Sequence, residues 1–262
     1  MRPSGIITLL TDFGTRDAYV GIMKGVALGI CPAARLVDLT HAVPPQAVGL
    51  GALVLRSALD AFPDGTVHLA VVDPGVGSAR APVAVVTARA ILVGPDNGLL
   101  APSAAHLGVT AVYRLEAPAY FRQPVSQTFH GRDVFAPVAA HLAAGLDPSL
   151  LGPPGALQAM DLAAPRQVDD ALHGEVVYVD HFGNLVTNLP AAALRTFRAS
   201  RVSVRIAEMT IAGLVSSYAA AAPGAPLAII GSWDLLEVAV RDGDAAARLQ
   251  VGIGAPVAVT AG

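Results

Sequence analysis

The sequence predicts an α/β N-terminal domain with a mainly parallel sheet, plus a small antiparallel β-barrel C-terminal domain. Three observations carry the prediction. Near-continuous apolar strands alternate with longer Ala/Leu/Gly-rich runs over the first half of the chain, the pattern of a sheet covered on both faces. The texture then breaks at 152–168, "GPPGALQAMDLAAPRQV", which is rich in Pro and Gly and weakly periodic. After it come short β-like runs separated by turn residues, which suits a small barrel or sandwich. The expected boundaries are 1–152 for the α/β domain, 153–170 for a linker and 171–262 for the barrel.

Each element follows from its local pattern. In the first part, "IITLL" (6–10), "RLVDL" (35–39), "TVHLAVV" (66–72), "PVAVVTA" (82–88), "AILVG" (90–94) and "TAVYRL" (110–115) read as strands. Residues 18–30 read as a helix with Asp17 placed to cap it, and 46–62 as a second. A third spans 131–145 with Pro137 inside it. Gly21, Gly25 and Gly29 recur every four residues in the first helix, a spacing that predicts close helix–sheet packing. In the second part, strands are expected at 174–180, 184–189, 201–206, 226–231, 235–240 and 255–261.

Composition narrows the function classes. Of 262 residues, 53% are apolar, enough for a substantial core, and 14% are charged with a net charge of -3. No Lys/Arg cluster stands out, which argues against nucleic acid as a partner. Cys31 is the only cysteine, so neither a disulfide framework nor a multi-cysteine zinc site is expected. No apolar run reaches membrane-spanning length unbroken, and the N-terminus lacks the pattern of a secretory leader. A cytoplasmic protein without membrane contact is expected.

In an open α/β sheet, ligands bind beyond the carboxyl ends of the strands. Four strands here run into Asp-bearing loops: "TDFG" with Asp12, "DLTH" with Asp38 and His41, "DPGVGSAR" with Asp73 and Arg80, and "GPDNG" with Asp96 and Asn97. A single loop aspartate is usually a turn former; four together point to a site. A metal centre built on them would draw single ligands from separate loops, with no HxH or HExxH spacing in support. A polar pocket for an oxygen-rich ligand fits better, and Asp12 is the natural carboxylate for a ribose diol. "GVGSAR" is not a dinucleotide fingerprint, and no phosphate-binding loop or nucleophile elbow is present. "TFHGRD" (128–133) sets His130 beside a ring, a glycine and two charges. His41, His68, His106, His141, His173 and His181 read as structural.

In order along the chain stand "TDFGTRDAYVGIMKG", "VVDPGVGSAR", "GPDNGLL", "TFHGRDVFAP" and "DHFGNLVTN", followed by "GSWDLLEVAV" and "GIGAPV". Over essentially its whole length the chain closely resembles the S-adenosylmethionine hydroxide adenosyltransferases, adenosine-forming S-adenosylmethionine hydrolases related to the fluorinases and chlorinases. The resemblance implies that water or hydroxide displaces methionine from C5′ of S-adenosyl-L-methionine, giving adenosine and L-methionine, with no metal and no cofactor. It implies a role in removing the wrong sulfonium epimer. It also implies a homotrimer with each site at a subunit interface, between the N-domain of one subunit and the C-domain of its neighbour.

Carried over residue by residue, the water-activating trio is Asp73, Arg80 and His130. Asp12 matches the ribose-diol carboxylate, Asp180 the group facing the methionine ammonium, and Asn184 an adenine contact. Ser232, Glu237 and the backbone near Val240 match the C-domain side of the pocket, and Tyr19 its methionine end. Trp233 and Asp234 stand where relatives often carry small residues. Halide-using relatives replace the trio, and the fluorinases among them carry an inserted loop and a serine near the position of Gly131. Two rival readings therefore follow: a halide-using 5′-halo-5′-deoxyadenosine synthase, and a non-catalytic adenosine or S-adenosylmethionine-binding module.

Overall fold

The computed structural model describes residues 2–160, 163–195 and 202–261. Arg201, which opens an expected strand, and residues 161–162 of the expected linker lie outside them. The chain divides into two compact units, Met1–Asp161 and Leu162–Gly262.

The first unit is a three-layer α/β/α sandwich. Its sheet contains β1 (Ile6–Thr11), β2 (Arg35–Thr40), β3 (Thr66–Val71), β4 (Pro82–Thr87), β5 (Ala90–Pro95) and β6 (Val109–Arg114). The order is β2-β1-β3-β5-β4-β6. All neighbouring pairs are parallel except those made by β4, which runs against β5 and β6. Alternation along the strands splits the core in two. Ile7, Leu9, Leu69 and Val71 meet Met23 and Ala27 of α1 (Tyr19–Ile30) and Val138 and Leu142 of α4 (Ala136–Ala143). On the opposite face, Leu10, Ala70 and Val85 meet Leu55 of α2 (Val48–Ala58) and Ala104 of α3 (Ala101–Leu107). The inner strands β1, β3, β5 and β4 have almost no wet face, which is why they read as unbroken apolar runs, whereas the edge strands β2 and β6 are partly exposed.

Two helix details differ from expectation. The residue preceding α1 is Ala18, with no side-chain cap, so Asp17 does not cap it. Gly21, Gly25 and Gly29 do not pack on the sheet: all three are exposed, and a Cβ at any of them would meet no atom within 4 Å. The buried stripe of α1 is Val20, Met23 and Ala27, and the glycines lie off that stripe. Helix α3 was not expected; it is seven residues long with proline in its first turn, too short to show a period.

Pro137 reshapes the third expected helix. Proline has no N–H, and its ring clashes with the carbonyl four residues back, here that of Asp133. The chain responds with one π-helical turn, Gly131–Phe135, in which the Ala136 N–H bonds the Gly131 carbonyl. The displaced Asp133 carbonyl accepts the Arg122 N–H at 2.8 Å. Such turns are frequent at functional sites, and His130 stands at the mouth of this one.

The stretch read as a linker is ordered at both described ends. Gly155 N–H bonds the Val112 carbonyl at 2.9 Å, and Gln158 N–H bonds Asp96 Oδ1 at 2.7 Å. Further on, β7 (Arg166–Val168) pairs with β8 (Ala171–Val179).

The second unit is an antiparallel sheet that also contains β9 (Leu185–Pro190), β10 (Val202–Ile206), β11 (Met209–Ala212), β12 (Pro226–Ile230), β13 (Leu235–Val240) and β14 (Pro256–Ala261). Its order is β11-β10-β14-β8-β9-β13-β12, with β7 on β8. The edge strands β11 and β12 meet each other, so the sheet is nearly closed into a barrel. Leu172, Val176, Leu185, Val204, Leu236, Val238 and Val257 fill it.

Candidate active site

The strand-end loops of the first unit gather three of the expected residues. Asp73 follows β3. Arg80 lies in the loop that leads to β4. The intervening Gly77 has φ +76°, and a Cβ there would stand 2.5 Å from the Gln127 carbonyl oxygen. Only glycine lets this loop lie against the segment that carries His130. The result is a wired trio. Arg80 Nε donates to Asp73 Oδ1 at 2.9 Å, and an Arg80 terminal nitrogen (Nη2) bonds Asp73 Oδ2. The same nitrogen donates to His130 Nδ1 at 2.8 Å. The Asp73 and Arg80 side chains are 5% and 9% exposed, and the guanidinium lies 5.2 Å from the Phe135 ring centre.

The hydrogen bonds fix the protonation pattern. A guanidinium has donors only, so His130 Nδ1 must accept. The ring is then neutral, with its proton on Nε2. Burial, followed by the Arg80 charge, holds the His130 pKa below the ordinary histidine value, against the opposing pull of Asp73 and Asp133. Arg80 Nη1 is buried and has no hydrogen-bond partner. A buried charged donor without an acceptor is costly, and an oxygen nucleophile with developing negative charge would satisfy it.

The neighbours of the trio are structural. Asp133 is fully buried. It accepts from Arg132 at 2.7 and 2.8 Å, from Arg122 at 3.2 Å and from the Ser126 N–H at 2.9 Å. Gly131 is buried, and a Cβ there would press on Met23 Sδ at 3.1 Å, Phe13 at 3.3 Å and Phe129 at 3.4 Å. Phe13, Phe129 and Tyr19 form an edge-on aromatic cluster with centroids 5.2 to 6.0 Å apart. Tyr19 remains 49% exposed, open to a ligand. Asp12 follows β1, and its Oδ2 accepts the Gln46 N–H at 2.8 Å. The fourth strand-end pair makes backbone contacts: Asp96 accepts the Gln158 N–H, and Asn97 bonds the Val72 carbonyl and the Leu99 N–H.

In the second unit, Asp180, Asn184, Ser232, Glu237 and Val240 all line one open cavity of about 920 Å³. Asp180 is busy there. Its Oδ1 accepts the N–H groups of Phe182 and Asn184, both at 2.8 Å, and its Oδ2 accepts Asn184 Nδ2 at 2.9 Å. This turn needs Gly183, whose φ is +82° and whose Cβ would collide with Asp244. Glu237 is different. It is 7% exposed, and Tyr218 O–H donates to its Oε1 at 2.6 Å. Burial, with the Asp180 charge adding to it, pushes the Glu237 carboxyl up despite the Tyr218 bond. Tyr218 itself is pushed up to about 12, by burial and then by Glu237, so it keeps its proton and donates.

Sequence reasoning singled out Trp233 but missed Tyr218 and the ring that Trp233 stacks on, Tyr178. The Tyr178 and Trp233 rings stack at 5.1 Å and 21° on the lining of the cavity. The available signal was the placing of Tyr178 two residues before Asp180. Among the described residues, no three His, Cys, Asp or Glu side chains converge as metal ligands would. No described helix is long and apolar enough to cross a membrane.

Comparison with known proteins decides the family. The model of the SAM hydroxide adenosyltransferase N-terminal domain matches residues 7–152, and that of the C-terminal domain matches residues 174–258. The chain belongs to the SAM hydroxide adenosyltransferase family. Within that family it is 42% identical over 261 residues to the (R)-S-adenosyl-L-methionine hydrolase of Salinispora arenicola, covering 98% of each chain. It is 41% identical over 267 residues to the (R)-S-adenosyl-L-methionine hydrolase of Thermus thermophilus, covering 98% of this chain and 99% of the relative. The fluorinase of Nocardia brasiliensis is more distant, at 30% identity over 70% of this chain and 71% of the relative. Among solved structures, an uncharacterized conserved protein from Thermotoga maritima matches with a TM-score of 0.91 and 36% identity, covering 97% of this chain and 99% of that one.

Proposed function

We propose that the protein is an adenosine-forming S-adenosyl-L-methionine hydrolase, acting on the (R)-sulfonium epimer, as the names of its nearer relatives suggest. The observation that carries the reading is the Asp73–Arg80–His130 trio with its unpartnered Arg80 Nη1. The leaving group is a neutral thioether and needs no acid, so the demand falls on the nucleophile. Arg80 Nη1 stabilises hydroxide character on the attacking oxygen. The Nε2–H of His130 orients that oxygen, and the Asp73 carboxylate, the one member of the trio with lone pairs to spare, takes the proton lost by water. As the new O–C5′ bond forms, the C5′–S bond breaks and its electron pair leaves with methionine.

Substrate binding is assigned on the same basis. Asp12 takes the ribose diol, and Tyr19 lines the methionine end. Asn184 contacts adenine, and Ser232, Glu237 and the backbone near Val240 line the C-domain side of the pocket. Asp180 and Glu237 make the cavity favourable for the ligand's positive charge. We infer a homotrimer in which the N-domain of one subunit and the C-domain of its neighbour complete each site, a state that a solution mass of three chains would support. The proposed compartment is the cytoplasm, in keeping with a single unpaired cysteine.

Incubation with each sulfonium epimer, with and without chloride or fluoride, tests the reading. Adenosine formed without halide is expected. A 5′-halo-nucleoside as the main product would assign the chain to the halide-using class. Tight adenosine binding with no turnover of either epimer would make it a binding module.

A further inference from the structure

Below the Asp12 loop runs a chain of polar contacts that neither the trio nor the cavity uses. Thr11, the last residue of β1, is fully buried, and His41, just after β2, is 6% exposed. Thr11 Oγ1 accepts the Phe13 N–H at 3.2 Å and lies 2.8 Å from His41 Nδ1. His41 Nε2 lies 3.0 Å from Asp38 Oδ1, and Lys24 Nζ donates to Asp38 Oδ2 at 2.6 Å. The Nε2 contact is within ion-pair range but off the line of a well-aligned hydrogen bond. The polarity of the chain is consistent throughout: Phe13 N–H to Thr11, Thr11 O–H to Nδ1, and Nε2–H towards the Asp38 carboxylate that Lys24 holds.

Asp12 lies between the two residues that this chain anchors. Two further bonds close the frame: Gly14 N–H to the His41 carbonyl at 2.8 Å, and Gln46 N–H to Asp12 Oδ2 at 2.8 Å. The register of β1 on β2 shifts at Leu9/Leu10, a bulge of the sort that re-aims the residues beyond it. A threonine–histidine pair needed only for packing would not have to meet the ligand loop. Thr8 and His68 form such a pair inside the sheet, at 2.8 Å.

We propose that His41 is a positioning residue for Asp12. Through Thr11 it fixes the Asp12–Phe13 turn, and so the carboxylate that receives the two ribose hydroxyls. The inference rests on Asp12 binding the diol. The test is to measure binding of adenosine and of 2′,3′-dideoxyadenosine to wild type, His41→Leu, His41→Asn and Asp12→Ala. His41→Leu is expected to weaken adenosine binding about tenfold and leave the dideoxy analogue unchanged. His41→Asn keeps an acceptor near the Nδ1 position and should restore most of the preference. If His41→Leu fails to fold, Thr11→Val, which removes only the hydroxyl, should give the same loss of diol preference.

The outcomes separate the two ideas. If Asp12→Ala keeps the diol preference, the assignment of Asp12 falls. If Asp12→Ala abolishes the preference while His41→Leu and Thr11→Val retain it, the positioning role falls. Equal weakening of both nucleosides in His41→Leu would also overturn it, because that is the signature of general loosening.

Discussion

The two units treat the carboxylates of their candidate site regions in opposite ways. In the first unit the acids are matched internally by arginine: Asp73 is gripped by Arg80, and Asp133 by Arg132 and Arg122. In the cavity of the second unit, Asp180 is satisfied by amides, and Glu237 has a single tyrosine donor. The arginine lining that cavity, Arg241, is spent on the carbonyls of Ala219 and Ala221. One region carries its own counter-charge, which suits the proposed hold on a reactive oxygen. The other leaves negative charge uncompensated and so favours a ligand that brings positive charge, as a sulfonium with an ammonium group does.

The sharpest way to break this contrast is to remove a carboxylate from the arginine-matched side. Asp133→Ala removes a fully buried carboxylate together with the bonds it accepts from Arg132, Arg122 and the Ser126 N–H. Denaturant unfolding should show a loss of about 3–5 kcal/mol; a loss below 1 kcal/mol would mean that Asp133 is no keystone. Next in size is Arg80→Ala. Losing a preorganised donor to developing charge should lower kcat by about 10²–10³-fold, with a much smaller change in substrate affinity. On the ligand-matched side, Glu237→Gln keeps shape and removes charge. It should raise KM for the sulfonium about tenfold with kcat little changed and with the binding of neutral adenosine preserved. Equal loss for adenosine would show that Glu237 reads the base rather than the charge.

The smallest effect concerns pH. Turnover needs His130 neutral, because Nδ1 must accept from Arg80. Its pKa is lowered from 6.5, so activity should persist below pH 6.5 and fall only as pH drops through the lowered value. Burial is the first cause and the Arg80 charge the second. In the residual activity of Arg80→Ala, the acid limb should therefore move to higher pH. A limb that stays in place would mean that the guanidinium does not set it.

Much of the fold was legible because covered strands and their connecting helices imprint strong patterns. The misreadings have physical causes. A glycine every four residues in α1 marks a close contact or an open face equally well. The apolar set Val20, Met23 and Ala27 shows which face is buried, and it leaves the glycines outside. Pro137 was visible in the sequence, but the π-turn it induces depends on Arg122 arriving to satisfy the Asp133 carbonyl, a contact eleven residues away along the chain. The strand-end rule reached Asp12, Asp38 and Asp73. It could not separate Asp73, which meets Arg80, from Asp96, which only ties down Gln158. Arg80 and His130 came together through the family motifs, since no spacing rule joins residues fifty positions apart. Tyr218 went unnoticed because its value lies in one hydrogen bond to Glu237, across from a different strand.

Gly131 has a consequence for how such an enzyme could change its nucleophile. Any side chain at this position presses on Met23, Phe13 and Phe129, each 3.1–3.4 Å from where its Cβ would stand. A new hydroxyl beside His130 therefore requires these side chains to give by a few tenths of an ångström. The easier path begins on α1, where a shorter residue in place of Met23 would open the space before any serine arrived. The present chemistry is guarded by the tightness of an aromatic cluster that itself touches no proton.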